Sequence, residues 1–374
     1  MPEATFDLLL SDDLPAGFSL DDEPFDNVIY ADSLPVDNMT GWLFGHTVVE
    51  LCTAVKGFGA EAIFERFNAD KVIYFDPDMA VFSRLDELCR ELDSASVILT
   101  PHQTEPETSI EAIMDNEMAS LIYGVFNLGF VGIRNSEEGR RFSRWWTSRL
   151  HTFCHDDLVR GLFTDQRWVN LAPCFFDDLK VLRSPAFNVA TWNISTRQVD
   201  GTFEDGFTVN GEPLGFYHFS GFDSGDQEKM LNKYASGNKA LFALRNWYIE
   251  QCQGYGQEQL GKLPYKYAHY DDGTPISKNA RLLYRSRIDL QQAFPDPFST
   301  QDKGGYKQWY EANCPDNPLE FTSIQISPSA PVSKVIGDMG AYFDYLSCSP
   351  KAGAAWRRMA LKGVATVFRF VARR

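Results

Sequence analysis

Residues 71–82 read KVIYFDPDMAVF. Val72, Ile73, Tyr74 and Phe75 form the short apolar, β-branched and aromatic run expected of a strand covered on both faces of a sheet. Asp76 and Asp78 follow at once. Pro77 between them has a fixed backbone dihedral and no N–H to donate, so the run must turn there and both carboxylates can point the same way. Two carboxylates where a strand ends lie in the crevice at the mouth of a sheet. Oxygen ligands of this kind suit Mg2+ or Mn2+, and an incompletely caged ion is completed by substrate phosphates. Asp and Pro are also ordinary turn residues, so the metal reading needs partners elsewhere in the chain.

The surrounding pattern predicts an α/β fold. Phe6–Leu10 and Val28–Tyr30 are short apolar runs among Asp, Pro and Gly, as at a sheet edge. Helical spacing covers residues 46–67 and leads into the Asp76 strand. Ser83 and Asp86 form a capping-box start for a helix to about Leu92, and Val97–Thr100 returns as a strand. Val125–Ile133 is a further strand with a central glycine, where a ligand can approach the backbone closely. Ser136, Glu137 and Glu138 open a helix through Arg149. Strands are expected around Val181, over Phe187–Ile194 and over Gly215–Phe219, with a hairpin at Asn210-Gly211.

Bulk properties exclude some classes. The net charge of −16 argues against a nucleic-acid binder, which needs basic surface to neutralise phosphates. Hydrophobic residues at 44% indicate a globular chain. Seven scattered cysteines without a C-x-x-C pair indicate neither a disulfide framework nor a zinc site, so a cytoplasmic location is expected. No stretch of about 18 apolar residues occurs.

Further chemistry-bearing residues follow Asp78 in order: Asn127 and Gly129 in FNLGF, Asp165 and Gln166 in TDQRW, Asn188 in FNVATWN, and His218 with Gly221 in YHFSG. His218 ends an expected strand, from where an imidazole could be a third metal ligand beside Asp76 and Asp78. A buried hydrogen-bonded histidine is the plainer alternative. Ser220-Gly221 after it would let a phosphate approach backbone N–H groups.

In this order the chain resembles the GT-A glycosyltransferases, and most of all glycosyltransferase family 8. The motifs that carry the resemblance are Asp76-Pro77-Asp78, Phe126-Asn127-Leu128-Gly129, Asp165-Gln166 and His218-Phe219-Ser220-Gly221. The resemblance implies a Rossmann-like mixed sheet flanked by helices. It also implies that Asp76, Asp78 and His218 bind Mn2+ or Mg2+ on a nucleotide-sugar diphosphate. Asn127, Gly129, Asp165 and Gln166 would then surround the donor sugar, with Asp165 or Gln166 steadying the sugar cation. Lys56 in TAVKGF resembles a basic residue near the donor; its other reading is a solvated helix lysine. Asn188 is either a donor or acceptor contact or a turn residue.

Two departures stand out. The family commonly begins with a β-α unit upstream of anything here, so this chain is expected to start at the second strand, either as a truncated form or with that edge supplied by another segment or partner. After the histidine the family carries H-x-x-G-x-x-K; here the lysine position is Ser224, with Lys229 and Lys233 nearby.

The expected organisation is a GT-A-like domain over residues 1–250, an aromatic and Pro-rich extension over 251–325, a linker over 326–353 and a basic amphipathic helix over 354–374. In that helix Arg358, Lys362, Arg369 and Arg373 share one face, while Trp356, Ala360, Val364, Val367 and Val371 share the other. Such a helix suits the anionic inner face of a cytoplasmic membrane, docking against the protein's own core, or a solvated end. The expected function is metal-dependent transfer of a sugar, from a UDP-sugar and with retention, to a glycan or lipid-linked acceptor in polysaccharide or lipopolysaccharide synthesis. The alternatives are a non-catalytic nucleotide-sugar or glycan-binding protein and a metal-dependent phosphohydrolase.

Overall fold

The computed structural model describes residues 4–21, 23–301, 304–314, 343, 347 and 355–372. The chain divides into two compact units. The first comprises Met1–Leu10, Asp22–Leu34 and Cys52–Pro264; the second comprises Ser11–Asp21, Pro35–Leu51 and Tyr265–Arg374. Apart from Phe343 and Ser347, the expected linker lies outside the described residues.

In chain order the elements begin with strands β1 (Asp7–Leu10) and β2 (Asn27–Tyr30) and helices α1 (Met39–Phe44) and α2 (Val48–Phe67). Next come β3 (Lys71–Phe75), β4 (Met79–Val81), α3 (Asp86–Ser94) and β5 (Val97–Pro101). A helical stretch follows as α4 (Ile110–Ala112), a π-helical Ile113–Glu117 and α5 (Met118–Tyr123). After it run β6 (Phe126–Arg134), α6 (Glu137–Phe153), β7 (His155–Asp157), β8 (Leu162–Thr164), α7 (Gln166–Val169), α8 (Ala172–Phe175) and β9 (Leu179–Val181). The first unit closes with β10 (Val199–Thr202), β11 (Gly206–Val209), β12 (Glu212–Pro213), β13 (Phe216–His218) and two helices, Asp226–Ala235 and Lys239–Gly254.

The fold is α/β with a mixed sheet. Its strands run in the order β3-β6-β5-β9, with β6 antiparallel to both neighbours and β9 parallel to β5. The eight residues Phe126–Ile133 of β6 are all buried, as a strand covered on both faces must be. That position was expected of Val72–Phe75, but β3 is half-buried along its whole length and pairs only with β6 among the described residues. A strand with a neighbour on one side only keeps part of its surface open. Leu88 and Leu92 of α3 pack on Ile98, Phe130 and Phe216. Each such buried side chain contributes roughly 1.5–3 kcal/mol.

Two further expectations change. Ser83 and Asp86 do not cap α3, whose N-cap position is held by Leu85 and has no side-chain cap. The Ser83 N–H is taken by the Gly215 carbonyl and the Asp86 carboxylate by Arg84, so neither partner is free for the box. Phe187–Ile194 forms no strand. Asn188 sits in the left-handed region at φ 54°, and the Asn193 side chain accepts from the Ala190 N–H to close a turn. A single parallel bridge from Val189 to Tyr217 remains.

The second unit gathers aromatic side chains around Phe44, with Tyr284, Phe298 and Tyr306 at centroid distances of 5.1, 5.1 and 5.4 Å. It also contains the terminal helix, Ala355–Ala372. No helix among the described residues is long and apolar enough to cross a membrane.

Candidate metal centre

The two aspartates are set by a turn. β3 stops at Phe75, the Asp76 N–H donates to the Gly129 carbonyl at 2.7 Å, and the Met79 N–H closes back on the Asp76 carbonyl at 3.1 Å. β4 then pairs antiparallel with β13 in a register that puts His218 opposite Met79. The Phe219 N–H donates to the Asp78 carbonyl at 2.8 Å. These backbone bonds bring His218 Nε2 to 2.9 Å from Asp78 Oδ1. Asp76, Asp78 and His218 each offer one ligand atom, and the three atoms lie within 4.8 Å of one another.

Asn127 determines which face of the imidazole meets the carboxylates. Its Oδ1 accepts from the Gly129 N–H at 3.2 Å, and a backbone amide can only donate, so the orientation of the side-chain amide is fixed. The same oxygen lies 3.1 Å from Asn188 Nδ2 and 3.2 Å from His218 Nδ1. His218 Nδ1 must therefore carry a proton. In the neutral ring Nε2 then presents its lone pair to Asp78. Two acceptors at 2.9 Å repel unless a cation or proton lies between them, which is the disposition of a metal-ligating histidine anchored by its second nitrogen. Gly129 is needed for this. A Cβ there would come within 2.7 Å of His218 Cε1 and 2.6 Å of Met79 Cε, so the close approach anticipated at this glycine is made by the protein's own imidazole.

Lys56, on α2, is buried. Its ammonium donates to the Leu128 carbonyl at 2.9 Å and forms ion pairs with Asp76 Oδ1 at 3.1 Å and Asp165 Oδ2 at 3.0 Å. The Tyr74 hydroxyl donates to the same Asp76 oxygen at 2.7 Å. Burial pulls the Lys56 ammonium down, but Asp165 and Asp76 outweigh it and hold it well above its ordinary value. Burial pushes Asp76 up, yet Lys56, His218 and Tyr74 together keep it below the ordinary carboxylate value. For Asp165, burial prevails over Lys56 and the carboxyl is raised. With all three carboxylates ionised, the excess over Lys56 is two negative charges, which a divalent cation would neutralise.

Asp165 and Gln166 are both buried. Gln166 Oε1 accepts from the Leu128 N–H at 3.2 Å, and its Nε2 donates to the Tyr123 carbonyl at 2.9 Å. Thr164, just before Asp165, sits at φ 44°, a strained conformation for a β-branched residue. Asn188 joins the network through Asn127. Gly221, at φ 72°, makes the turn after β13. Ser224 bonds back to the Gly221 carbonyl, Lys229 pairs with Asp226, and Lys233 pairs with Glu111 and Asp115. The structure thus gathers Lys56, Asp76, Asp78, Asn127, Gly129, Asp165, Gln166, Asn188 and His218 into one connected network.

Sequence reasoning missed His102, Trp192 and Tyr74. His102 Nε2 lies 3.3 Å from Asn127 Nδ2, and the Trp192 ring meets the imidazoles of His102 and His218 edge-on at 5.2 and 5.1 Å. One signal was available: His102 stands directly past the apolar run of β5, as Asp76 stands past that of β3.

Fold and site together define an α/β protein with a cluster of two carboxylates and an imidazole at its strand ends, suited to a divalent cation. No protein-family model matches the chain, and no solved structure matches it. It is similar to two proteins of Bacillus subtilis (strain 168). Uncharacterized protein YfnD is 32% identical over 179 residues, 47% of this chain and 55% of that protein. Uncharacterized protein YfnF is 26% identical over 177 residues, 46% of this chain and 57% of that protein. The chain spans about half the length of the curated relatives it matches.

Proposed function

We propose that this chain is a metal-dependent glycosyltransferase of the GT-A type, similar to family 8, that moves a sugar from a nucleotide-diphosphate donor, a UDP-sugar, to a glycan or lipid-linked acceptor. The observation that carries this reading is the convergence of Asp76, Asp78 and His218, whose ligand atoms lie within 4.8 Å of one another, with His218 Nε2 2.9 Å from Asp78 Oδ1. Asp76, Asp78 and His218 would hold the ion. An imidazole in the ligand set favours Mn2+ over Mg2+. The chemistry such an ion supplies is positive charge for the diphosphate oxygens, where negative charge develops as the sugar leaves.

The protein's own residues do the rest by positioning. Lys56 balances Asp76 and Asp165 and holds both in place, so it acts through those carboxylates. Asn127 orients His218, and Gln166 ties Leu128, next to Asn127, to α5. Asp165, beside Lys56, is the carboxylate from which a developing sugar cation would draw stabilisation, and retention of configuration would follow from the family likeness.

The acceptor side of the proposal includes an anionic membrane surface. Ala360, Val364 and Val367, which share the apolar face of the terminal helix, are exposed, Val367 by 61%, whereas Ala365 on another side is buried. An exposed apolar face next to exposed Lys362 suits an interfacial position at the inner face of a cytoplasmic membrane.

The test is turnover of donor. Purified protein with Mn2+ and a panel of nucleotide sugars should release a nucleoside diphosphate from one donor. Chelator should stop the release, and Asp78→Ala should lower it at least a hundredfold. Equal release by a folded Asp78→Ala protein would refute the assignment.

A further inference from the structure

The helical stretch from Ile110 to Tyr123 is turned inside out. A surface helix ordinarily sends its apolar side chains inward and its charges outward. Here the polar side chains are spent on the protein: Asp115 on Lys233 and Tyr234, Glu117 on the Glu107 N–H, and buried Asn116 on Glu107 and Ser195. The large apolar side chains Ile110, Met114, Met118, Leu121 and Ile122 are exposed, Ile110 by 78% and Leu121 by 70%. They share one face. Four-residue steps drift around an ordinary α-helix, but the wider π-helical turn at Ile113–Glu117 keeps Ile110, Met114 and Met118 close to one line. Turns of this kind occur frequently at functional positions.

The stripe continues past the helix. The Tyr123 ring lies 4.8 Å from that of Phe163 in β8. Arg167 donates to the Ile122 carbonyl and reaches Gly161, beside the hairpin tip Leu158–Arg160, where Leu158 and Val159 are exposed. With Tyr123, Leu158 and Val159 added, the patch exposes on the order of 500 Å² of apolar side chain. A protein interface is about 60% apolar, so a patch of this size lies at the centre of about 800 Å². That is the area each partner gives to a stable complex.

Charge selects the partner. Residues 110–123 contain three acids and no Lys or Arg, and the acids are engaged within the protein, so the stripe offers nothing to an anionic bilayer. A second copy is different. The chain carries a net charge of −16 and repels its own kind over most of its surface, whereas the stripe carries no charge of its own. A helical stripe can also pair with itself across a two-fold axis, the symmetry of most soluble oligomers. We propose that two copies of this chain form a dimer through the stripe from Ile110 to Ile122 and the hairpin tip beside it. This contact is independent of the reaction proposed above.

The test is the mass of the full chain by sedimentation velocity over a range of concentrations. The proteins are wild type, Met114→Asp, Leu121→Asp and Val364→Asp, each checked for folding by circular dichroism. The replaced side chains are exposed, so each variant should keep its fold. Wild type should sediment as a dimer. Met114→Asp and Leu121→Asp would bury an unpaired charge at the contact and should raise the dissociation constant roughly a hundredfold or more. Val364→Asp, on the terminal helix, should remain dimeric. A monomeric wild type would overturn the proposal, as would stripe variants that dimerise like wild type. If a monomeric wild type sedimented with uncharged phosphatidylcholine vesicles and Leu121→Asp did not, the dimer would be overturned in favour of a lipid contact.

Discussion

His102 and His218 lie on either side of Asn127, and their surroundings give them different tasks. His218 turns Nε2 toward Asp78, whereas burial keeps His102 neutral. A histidine with a folded value of about 4 and an unfolded value near 6.5 binds its proton first in the unfolded chain. Between these values stability therefore rises with pH, and it is lost as pH falls through the window. Urea unfolding at pH 7 and pH 4 should show wild type losing about 3 kcal/mol more than His102→Gln. Equal losses would mean that His102 is not buried as described. Asp76, Asp78, Asn127 and His218 were legible in the sequence because each is a polar residue in or just past an apolar run. The role of Lys56 was not, since its burial depends on carboxylates that only tertiary folding brings to it.

At the scale of elements, the site depends on register. β3 with β6 puts Gly129 beside Asp76, and β4 with β13 puts His218 beside Asp78. Gly129→Ala tests this coupling. The new methyl would press on Met79 Cε, which can move, and on His218 Cε1, which Asn127 holds. We expect a loss of about 1–3 kcal/mol in urea unfolding and a weaker Mn2+ affinity, both without loss of the fold. Unaltered Mn2+ affinity would show that the imidazole is not held against the strand. Most strands and long helices could be read from the sequence, because apolar alternation and the Ser136 cap are local signals; Ser136 does accept from the Gly139 N–H. The turn at Asn188 and the uncapped start of α3 were not legible. Each is decided by a partner distant in sequence or by a backbone conformation that composition does not announce.

For the whole molecule, the segments Ser11–Asp21 and Pro35–Leu51 pack with the chain from Tyr265 onward, a division that no periodicity encodes. Charge is also distributed by region. Residues 1–55 hold eleven acids and no Lys or Arg, whereas residues 351–374 hold seven Lys or Arg and no acid. A net charge of −16 repels an anionic bilayer, so any attachment must come from the terminal helix. Sedimentation with phosphatidylglycerol vesicles should exceed that with phosphatidylcholine, fall with added salt and drop severalfold in Val364→Asp. Equal sedimentation of wild type and Val364→Asp would remove the helix from the account.

The central claim is that Asp76, Asp78 and His218 form one divalent-cation site. Its most direct test is calorimetric titration of Mn2+ in the presence of UDP, comparing wild type with Asp78→Ala and His218→Ala. The account predicts one saturable site in wild type, abolished in Asp78→Ala and weakened at least tenfold in His218→Ala, with both variants folded. Undiminished Mn2+ binding by either variant would contradict it.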